Sequence, residues 1–332
     1  MFEQDTLAIV YAALMALAVL LYAILDGYDL GVGILLPTNN DHDADKMIAS
    51  IGPFWDANET WLVLAIGLLL IAFPTAHSLV LKALYIPCTF MLIGLILRGV
   101  AFDFRAKAIV DHKNAWDLAF KLGSLLAATS QGYMLGRYVM GFDESAWSYG
   151  FALLSAVGVA AAYTLIGAAW LVMKTEGELQ QYAINVCKRC VYVALVGIAL
   201  VSGANLWLSP EIFLKWFSWP SMLLLLPLPI ICFSCFVLIA RKLSQLTRQP
   251  DNKAHHPFIL SVVIFTLSFL GLAISFFPDI VPNHLTIWQA VAAAESLTFL
   301  LWGALLVVPT ILAYTAYSYR VFWGKVDDLR YY

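Results

Sequence analysis

Nine stretches of this sequence are apolar over enough residues to cross a bilayer as helices, which takes about 20 residues at ~1.5 Å each. They run over 7–25, 50–73, 79–97, 118–135, 147–173, 191–208, 219–240, 257–277 and 296–319. A soluble fold is excluded, because 62% of the residues are hydrophobic and 12% charged, and the charged share of a soluble domain is about twice that. The pattern predicts an all-α fold, a polytopic membrane protein with nine transmembrane helices. A net charge of −3 with no basic face offers nothing to nucleic acid. The stretch 7–25 has no basic region before it and no small-residue cleavage site after it, so it reads as a retained helix rather than a signal peptide. No low-complexity tract or long soluble insertion follows, and 1–332 reads as one integral membrane domain.

An odd number of spans puts the termini on opposite sides, and the cations say which is which, because short cytoplasmic loops collect Lys and Arg. Lys46, Arg98, Arg105, Lys107, Lys113, Lys121, Lys174, Lys188, Arg189, Arg241, Lys242, Arg248, Lys253, Arg320, Lys325 and Arg330 fall on one side, sixteen of nineteen. Lys82, Arg137 and Lys215 fall on the other. The N-terminus is therefore expected to be periplasmic and the C-terminus cytoplasmic, in a bacterial inner membrane. Trp147, Trp207, Trp216, Trp219 and Trp288 sit at the outward ends, the depth an indole prefers. The stretches 26–49, 98–117 and 174–190 are expected as cytoplasmic connections. Gly27 with Gly31, and Gly158 with Ala162, have the small-xxx-small spacing that lets helices approach closely. Pro227, Pro229 and Pro309 lie within spans and are expected to bend them.

The chemistry is sought in Ser50-Ile51-Gly52-Pro53-Phe54-Trp55-Asp56-Ala57-Asn58-Glu59-Thr60-Trp61, which leads into thirteen uncharged residues, 61–73. Thirteen are too few to span, so the helix is expected to start near Ser50, with Pro53 in its first turn, where a missing N–H has no partner to lose. That start carries Asp56 and Glu59 into the membrane. A carboxylate at the centre of a spanning helix costs roughly 2.5 to 3.5 kcal/mol, so such groups face protein or water and usually mark a proton or ion path. Asp26 and Asp29 are expected at the cytoplasmic end of the first span, Arg98, Asp103 and Arg105 at the end of the third, and Asp117 at the start of the fourth. Carboxyls that crowd one another beside a guanidinium shift each other's proton affinity in opposite senses, as a relay requires. The plainer alternative makes Asp26 and Asp29 turn residues at a helix end, and Glu59 an anion reaching back to a helix N-terminus.

Candidate haem or metal ligands are thin. His42, His77, His112, His255, His256 and His284 fall in loops or at span ends, whereas a membrane haem needs side chains inside a bundle. Cys187 with Cys190 and Cys232 with Cys235 share helix faces but lack further ligands, and packing is the preferred reading. No phosphate loop or Ser-His-Asp set is present, so no self-contained catalytic centre and no metal site is expected on this chain.

Three motifs resemble one family. Asp26-Gly27-Tyr28-Asp29-Leu30-Gly31-Val32-Gly33, Ser50-Ile51-Gly52-Pro53-Phe54-Trp55-Asp56-Ala57-Asn58 and Leu97-Arg98-Gly99-Val100-Ala101-Phe102-Asp103-Phe104-Arg105 are similar to signature segments of subunit II of bacterial cytochrome bd ubiquinol oxidase. The resemblance continues in order through Ala115-Trp116-Asp117, Lys174-Thr175-Glu176-Gly177-Glu178-Leu179, Leu285-Thr286-Ile287-Trp288, Tyr314-Thr315-Ala316-Tyr317 and Phe322-Trp323-Gly324-Lys325. The chain's shortness and Glu295-Ser296 resemble the cyanide-insensitive branch. The resemblance implies two four-helix bundles plus a peripheral helix, paired as a heterodimer core with a subunit I that holds haems b558, b595 and d and the ubiquinol site. It implies a complex reducing O2 to water in aerobic respiration, with Asp29, Asp56, Asp26 and Glu59 along a cytoplasmic proton route and Trp55, Arg98, Asp103 and Arg105 supporting it. Small single-helix accessory subunits, lipid and a structural ubiquinone are further partners the family suggests. Gln289 departs from the family pattern, which has an acid there, and this weakens any proton role for that outward position.

Two rivals stand beside this reading. A secondary transporter would couple buried acids to substrate movement, but it would be expected to show repeats and broken mid-membrane helices, whereas these acids crowd one face. A purely structural subunit would use Asp29 and Asp56 only to fix packing.

Overall fold

The computed structural model describes residues 3–107, 112–249 and 253–326. Its elements in chain order are α1 (Gln4–Leu35), α2 (Asp41–Ile51), α3 (Trp55–Ala72), α4 (Pro74–Lys107), α5 (Lys113–Val139), α6 (Ala146–Lys174) and α7 (Gly177–Leu208). There follow α8 (Pro210–Phe217), α9 (Ser221–Leu225), α10 (Pro227–Leu246), α11 (His256–Phe276), the hairpin β1 (Asp279–Val281) and β2 (Leu285–Thr286), α12 (Ile287–Ala290) and α13 (Ala294–Val321). Counting α9 and α10 as one pass, eight long helices among the described residues are apolar enough to cross a membrane. The ninth long helix, α5, has 27 residues, and Ser124, Thr129, Ser130 and Gln131 make it more polar than the rest.

The long helices close into two rings. In the first, α1 packs on α3 and α5, α3 on α4, and α4 on α5; in the second, α6 packs on α7, α7 on α10, α10 on α11, and α11 on α6. Contacts of α6 with α1 and α5 join the rings, while α13 reaches them chiefly through α1. This is the expected pair of four-helix bundles with a peripheral helix. Lys174 at the end of α6 donates to the Phe322 carbonyl just beyond α13, and Val326 N donates to the Lys174 carbonyl at 2.8 Å. The ends of α6 and α13 thus share one side with the start of α3, since Lys174 also lies over the Phe54 ring at 5.8 Å. Arg330, counted among the cations of that side, lies outside the described residues, as do positions 108–111 of the third connection.

Several expected boundaries move. α1 does not stop at residue 25 but continues to Leu35, with every residue from Asp26 to Gly33 buried. Glycines that would ordinarily weaken a helix interior by up to about 1 kcal/mol each are needed here for close approach. A Cβ on Gly31 would fall onto the Tyr163 carbonyl, and one on Gly167 would come 2.5 Å from Gly31 C. The turn reading of Asp26 and Asp29 therefore fails. Gly158 meets nothing within 4 Å, so the second small-residue pair makes no tight contact; Gly136 of α5 does, 2.6 Å from Ala152 Cα of α6. We expect Gly31→Val to destabilise the purified protein by about 1–3 kcal/mol through overpacking, read as an earlier thermal transition, with Gly158→Ala unchanged.

The helix expected from Ser50 is also two pieces. Ser50 belongs to the last turn of α2, donating to the Met47 carbonyl at 2.7 Å, and Gly52, Pro53 and Phe54 form a turn before α3 begins at Trp55. Pro53 thus sits outside the helix. α3 keeps 18 residues and hands over to α4 through Phe73 alone, with Pro74 opening α4. The connections 98–117 and 174–190 are largely helical as well, because α4 runs on to Lys107 and α7 starts at Gly177. Pro227 and Pro229 stand in the first turn of α10, where the chain breaks from α9 rather than bends, while Pro309 is inside α13.

Candidate functional site

Three helices of the first ring bring their ionisable residues to one buried point. α1 supplies Asp26 and Asp29, which three residues of helix place on neighbouring positions of one face. α3 supplies Asn58 and Glu59, and α4 supplies Arg98. Arg98 Nη1 donates to Asp26 Oδ1 at 2.7 Å, and Nη2 donates to Glu59 Oε1. The Arg98 and Asp26 side chains are each 1% exposed and that of Glu59 is 29% exposed. Burying two such charges costs several kcal/mol per ion, which their mutual attraction offsets only with good geometry. Glu59 therefore does not reach back to the helix N-terminus; it is held by Arg98.

Asp29 is treated differently. It is wholly buried, and its Oδ2 accepts from Asn58 Nδ2 at 2.8 Å. Neither Asp29 nor Asp56 forms an ion pair with a guanidinium among the described residues. Asn58 Nδ2 also points to Tyr28 OH at 3.1 Å and the Leu25 carbonyl at 3.3 Å, and the Tyr28 and Tyr319 hydroxyls lie 2.6 Å apart. A chain of polar groups thus runs from Asp29 to the peripheral helix. Asp26 Oδ2, Asp29 Oδ1 and Arg98 Nε have no hydrogen-bond partner among the described residues, so the pocket has unused polar capacity in an interior where such groups are costly to leave unpaired.

A second cluster lies farther along α4. Arg105 follows Arg98 by seven residues, two helical turns or about 10 Å, on the same face. Its Nε donates to the buried Asp117 of α5 and its Nη1 to Asp45 of α2 at 2.5 Å, and Lys113 Nζ stands 3.7 Å from Asp45. Asp45 is half exposed. The two clusters follow one another along α4 from its Lys107 end: Asp45, Asp117 and Arg105 come first, then Glu59, Arg98 and Asp26, with Asp29 one turn from Asp26 on α1.

Asp56 and Asp103 are not drawn into either cluster, and both are exposed. Asp56 occupies the first turn of α3, at the open end. Trp55 packs on Phe102 with ring centroids 4.8 Å apart and so braces α3 against α4. Asn58, Tyr28, Tyr319 and Asp45 were not singled out from sequence. Asn58 had a signal, since it falls on the buried stripe of α3 with Trp61, Ala65, Leu68 and Ala72, where an amide needs a reason.

The histidines stand at helix starts and in connections. His42 and His112 are exposed, His77 is half-buried in the first turn of α4, and His255 and His256 open α11. His284 Nε2 lies 2.8 Å from the Gly141 carbonyl. Among the described residues no three His, Cys, Asp or Glu side chains are grouped to hold a metal. Cys88 Sγ lies 3.3 Å from Met134 Sδ, and Cys187, Cys232 and Cys235 are buried. Gln289 has a local job: with Thr286 it closes a capping box at the start of α12.

A family model described as cytochrome bd terminal oxidase subunit II matches residues 7–322. Cytochrome bd-I ubiquinol oxidase subunit 2 of Escherichia coli (strain K12) is 27% identical over 384 residues, covering 98% of this chain and 97% of that protein. Cytochrome bd ubiquinol oxidase subunit 2 of Bacillus subtilis (strain 168) is 26% identical over 324 residues, covering 91% and 92%. A solved bd oxidase structure from Geobacillus thermodenitrificans shares the fold, with a TM-score of 0.75 at 19% identity over 93% of this chain and 97% of that one.

Proposed function

The chain belongs to the family of cytochrome bd terminal oxidase subunit II, and from that premise we propose that it is the haem-free subunit that feeds protons to a quinol oxidase reaction on its partner. Membership makes it a multi-pass membrane component of an oxidoreductase complex, and it implies a subunit I beside it. In this reading haems b558, b595 and d and the ubiquinol site belong to subunit I, because the histidines of this chain lie at helix ends and surfaces. The haems would carry electrons from ubiquinol to O2, and this chain's residues would handle protons. The whole of 1–332 acts as one membrane-embedded unit, with its N-terminus periplasmic and its C-terminus cytoplasmic.

One observation carries the proton role: Asp29 is fully buried, accepts from an amide, and forms no ion pair among the described residues. A carboxyl kept for packing alone would be expected to face a cation, as Asp26 and Glu59 face Arg98. Those two support a structural part in the cluster, leaving Asp29 as the group that takes up and passes on a proton. Protons made into water must come from the cytoplasmic side, where the Lys and Arg side chains gather and where Asp45 and Asp56 are open. Asp26, Glu59 and Arg98 then set the field around the path, and Trp55, Arg105 and exposed Asp103 line or brace its mouth.

Asp56 is placed at that mouth, where water can replace it. Asp56→Asn is expected to slow steady-state O2 consumption only by roughly threefold, under 1 kcal/mol on the barrier, with the haem spectrum and yield of the complex retained. Loss of haem or of assembly would assign Asp56 to packing instead. Copurification of the chain without any haem-bearing partner would overturn the oxidase reading and favour a transporter.

A further inference from the structure

We propose that the groove between the end of α10 and the start of α11 is a binding site for the headgroup of one anionic phospholipid. The groove is open to the surroundings and has a volume of about 470 Å³. Arg241 and Lys242 from the last turns of α10 line one wall, and His255 and His256 at the N-terminus of α11 line the other. Among the described residues, no carboxylate pairs with any of these four side chains and none of them makes a side-chain hydrogen bond. Two permanent cations beside each other, paired with no carboxylate among the described residues, attract a phosphate. The 21-residue α11 adds the positive end of its dipole on the same side of the groove. The His255 and His256 rings, 4.8 Å apart and edge to face, supply further polar edges.

The groove's floor says that the anion comes with a tail. Leu238 and Ile259 line it and are 48% and 47% exposed. Ile231, two turns before Leu238 on the same face of α10, is 47% exposed. The cations therefore cap an apolar stripe running down the outer face of the second ring, as a phosphodiester caps its acyl chains. A free phosphate would use the cations but gain nothing from Leu238, Ile259 and Ile231, which a hydrocarbon chain would cover.

The test is native mass spectrometry of the full chain, purified with the partner chains it holds, and titrated with phosphatidylglycerol, with phosphatidylcholine of the same acyl chains, and with inorganic phosphate. One phosphatidylglycerol is expected to stay bound at detergent levels that strip phosphatidylcholine. The double variant Arg241→Gln/Lys242→Gln is expected to weaken that tightest site about tenfold. Lys82→Gln/Lys215→Gln, which removes cations at the opposite ends of the helices, is expected to leave it unchanged. Equal phosphatidylglycerol affinity in the first variant and the unaltered protein would overturn the proposal. So would equal retention of phosphatidylcholine, or displacement of the lipid by inorganic phosphate, which would make the groove a site for the free anion.

Discussion

Arg98→Ala is expected to cost about 3–5 kcal/mol, the usual penalty for stranding a buried charge by deleting its partner. The guanidinium bridges Asp26 and Glu59 and so ties α1, α3 and α4 together at one point. Without it, Asp26 is left 1% exposed in a helix interior with no other cation bonded to it among the described residues. The measurable result is loss of the assembled complex from detergent extracts, with its haem absorbance lost in parallel. Arg98→Lys should recover little, because one ammonium cannot present two fixed donors to two carboxylates on different helices. The double variant Arg98→Ala/Asp26→Asn should recover more, since the stranded charge is gone. If Arg98→Ala assembled at normal yield, the bridge would not be holding the ring together.

Asp29→Asn is expected to act on turnover and leave the fold alone. The amide has the same shape and can still accept from Asn58 Nδ2, now 2.8 Å from Asp29 Oδ2, so little packing is lost. What disappears is a group able to gain and release a proton in the interior. Positioned proton-transfer groups are typically worth 10²–10⁴-fold, and we expect steady-state O2 reduction to fall by about a hundredfold while haem content, spectrum and thermal stability stay as they were. Unchanged turnover would make Asp29 a packing residue. A parallel loss of haem and activity would do the same. Because Arg98→Ala is read by assembly and Asp29→Asn by rate at constant assembly, the two variants separate the structural ion-pair cluster around Arg98 from a conducting acid.

The spans were legible because a bilayer leaves few choices: backbone groups must be satisfied within a segment, so long apolar runs become helices, while the plan of two bundles came from the family resemblance. Their ends were not legible to the same degree. Asp26 and Asp29 looked like the close of a helix because charge in lipid is costly, yet α1 continues for more than two turns beyond Asp26. The cost is partly offset once the acids face Asn58 of α3 and Arg98 of α4 rather than lipid, and apolar periodicity cannot report which neighbour a face will meet. The start of α3 was misplaced for a related reason. Pro53 fits a helical first turn and a tight turn equally well, and the structure uses it in the turn that redirects α2 into α3.

The site was half legible. Acids converging near one membrane face could be inferred from the positions of Asp26, Asp29, Asp56 and Glu59 along their spans, with Arg98 and Arg105 nearby. Their division of labour could not. That Glu59 turns inward to Arg98 while Asp56, three residues earlier, is exposed depends on the rotation of α3 about its axis. That Asp29 bonds an amide from α3 and Asp26 a guanidinium from α4 depends on which helices flank α1.

The amino-acid order alone was enough to settle that this chain crosses a membrane many times, and that a few acids are carried in with it, because transfer of side chains and backbone out of water is decided residue by residue. Which carboxyl meets Arg98 and which meets Asn58 was decided only when three helices came together. A pairing is a property of distance between elements, and the close approach at Gly31 and Gly167 that positions α1 exists only in the assembled bundle.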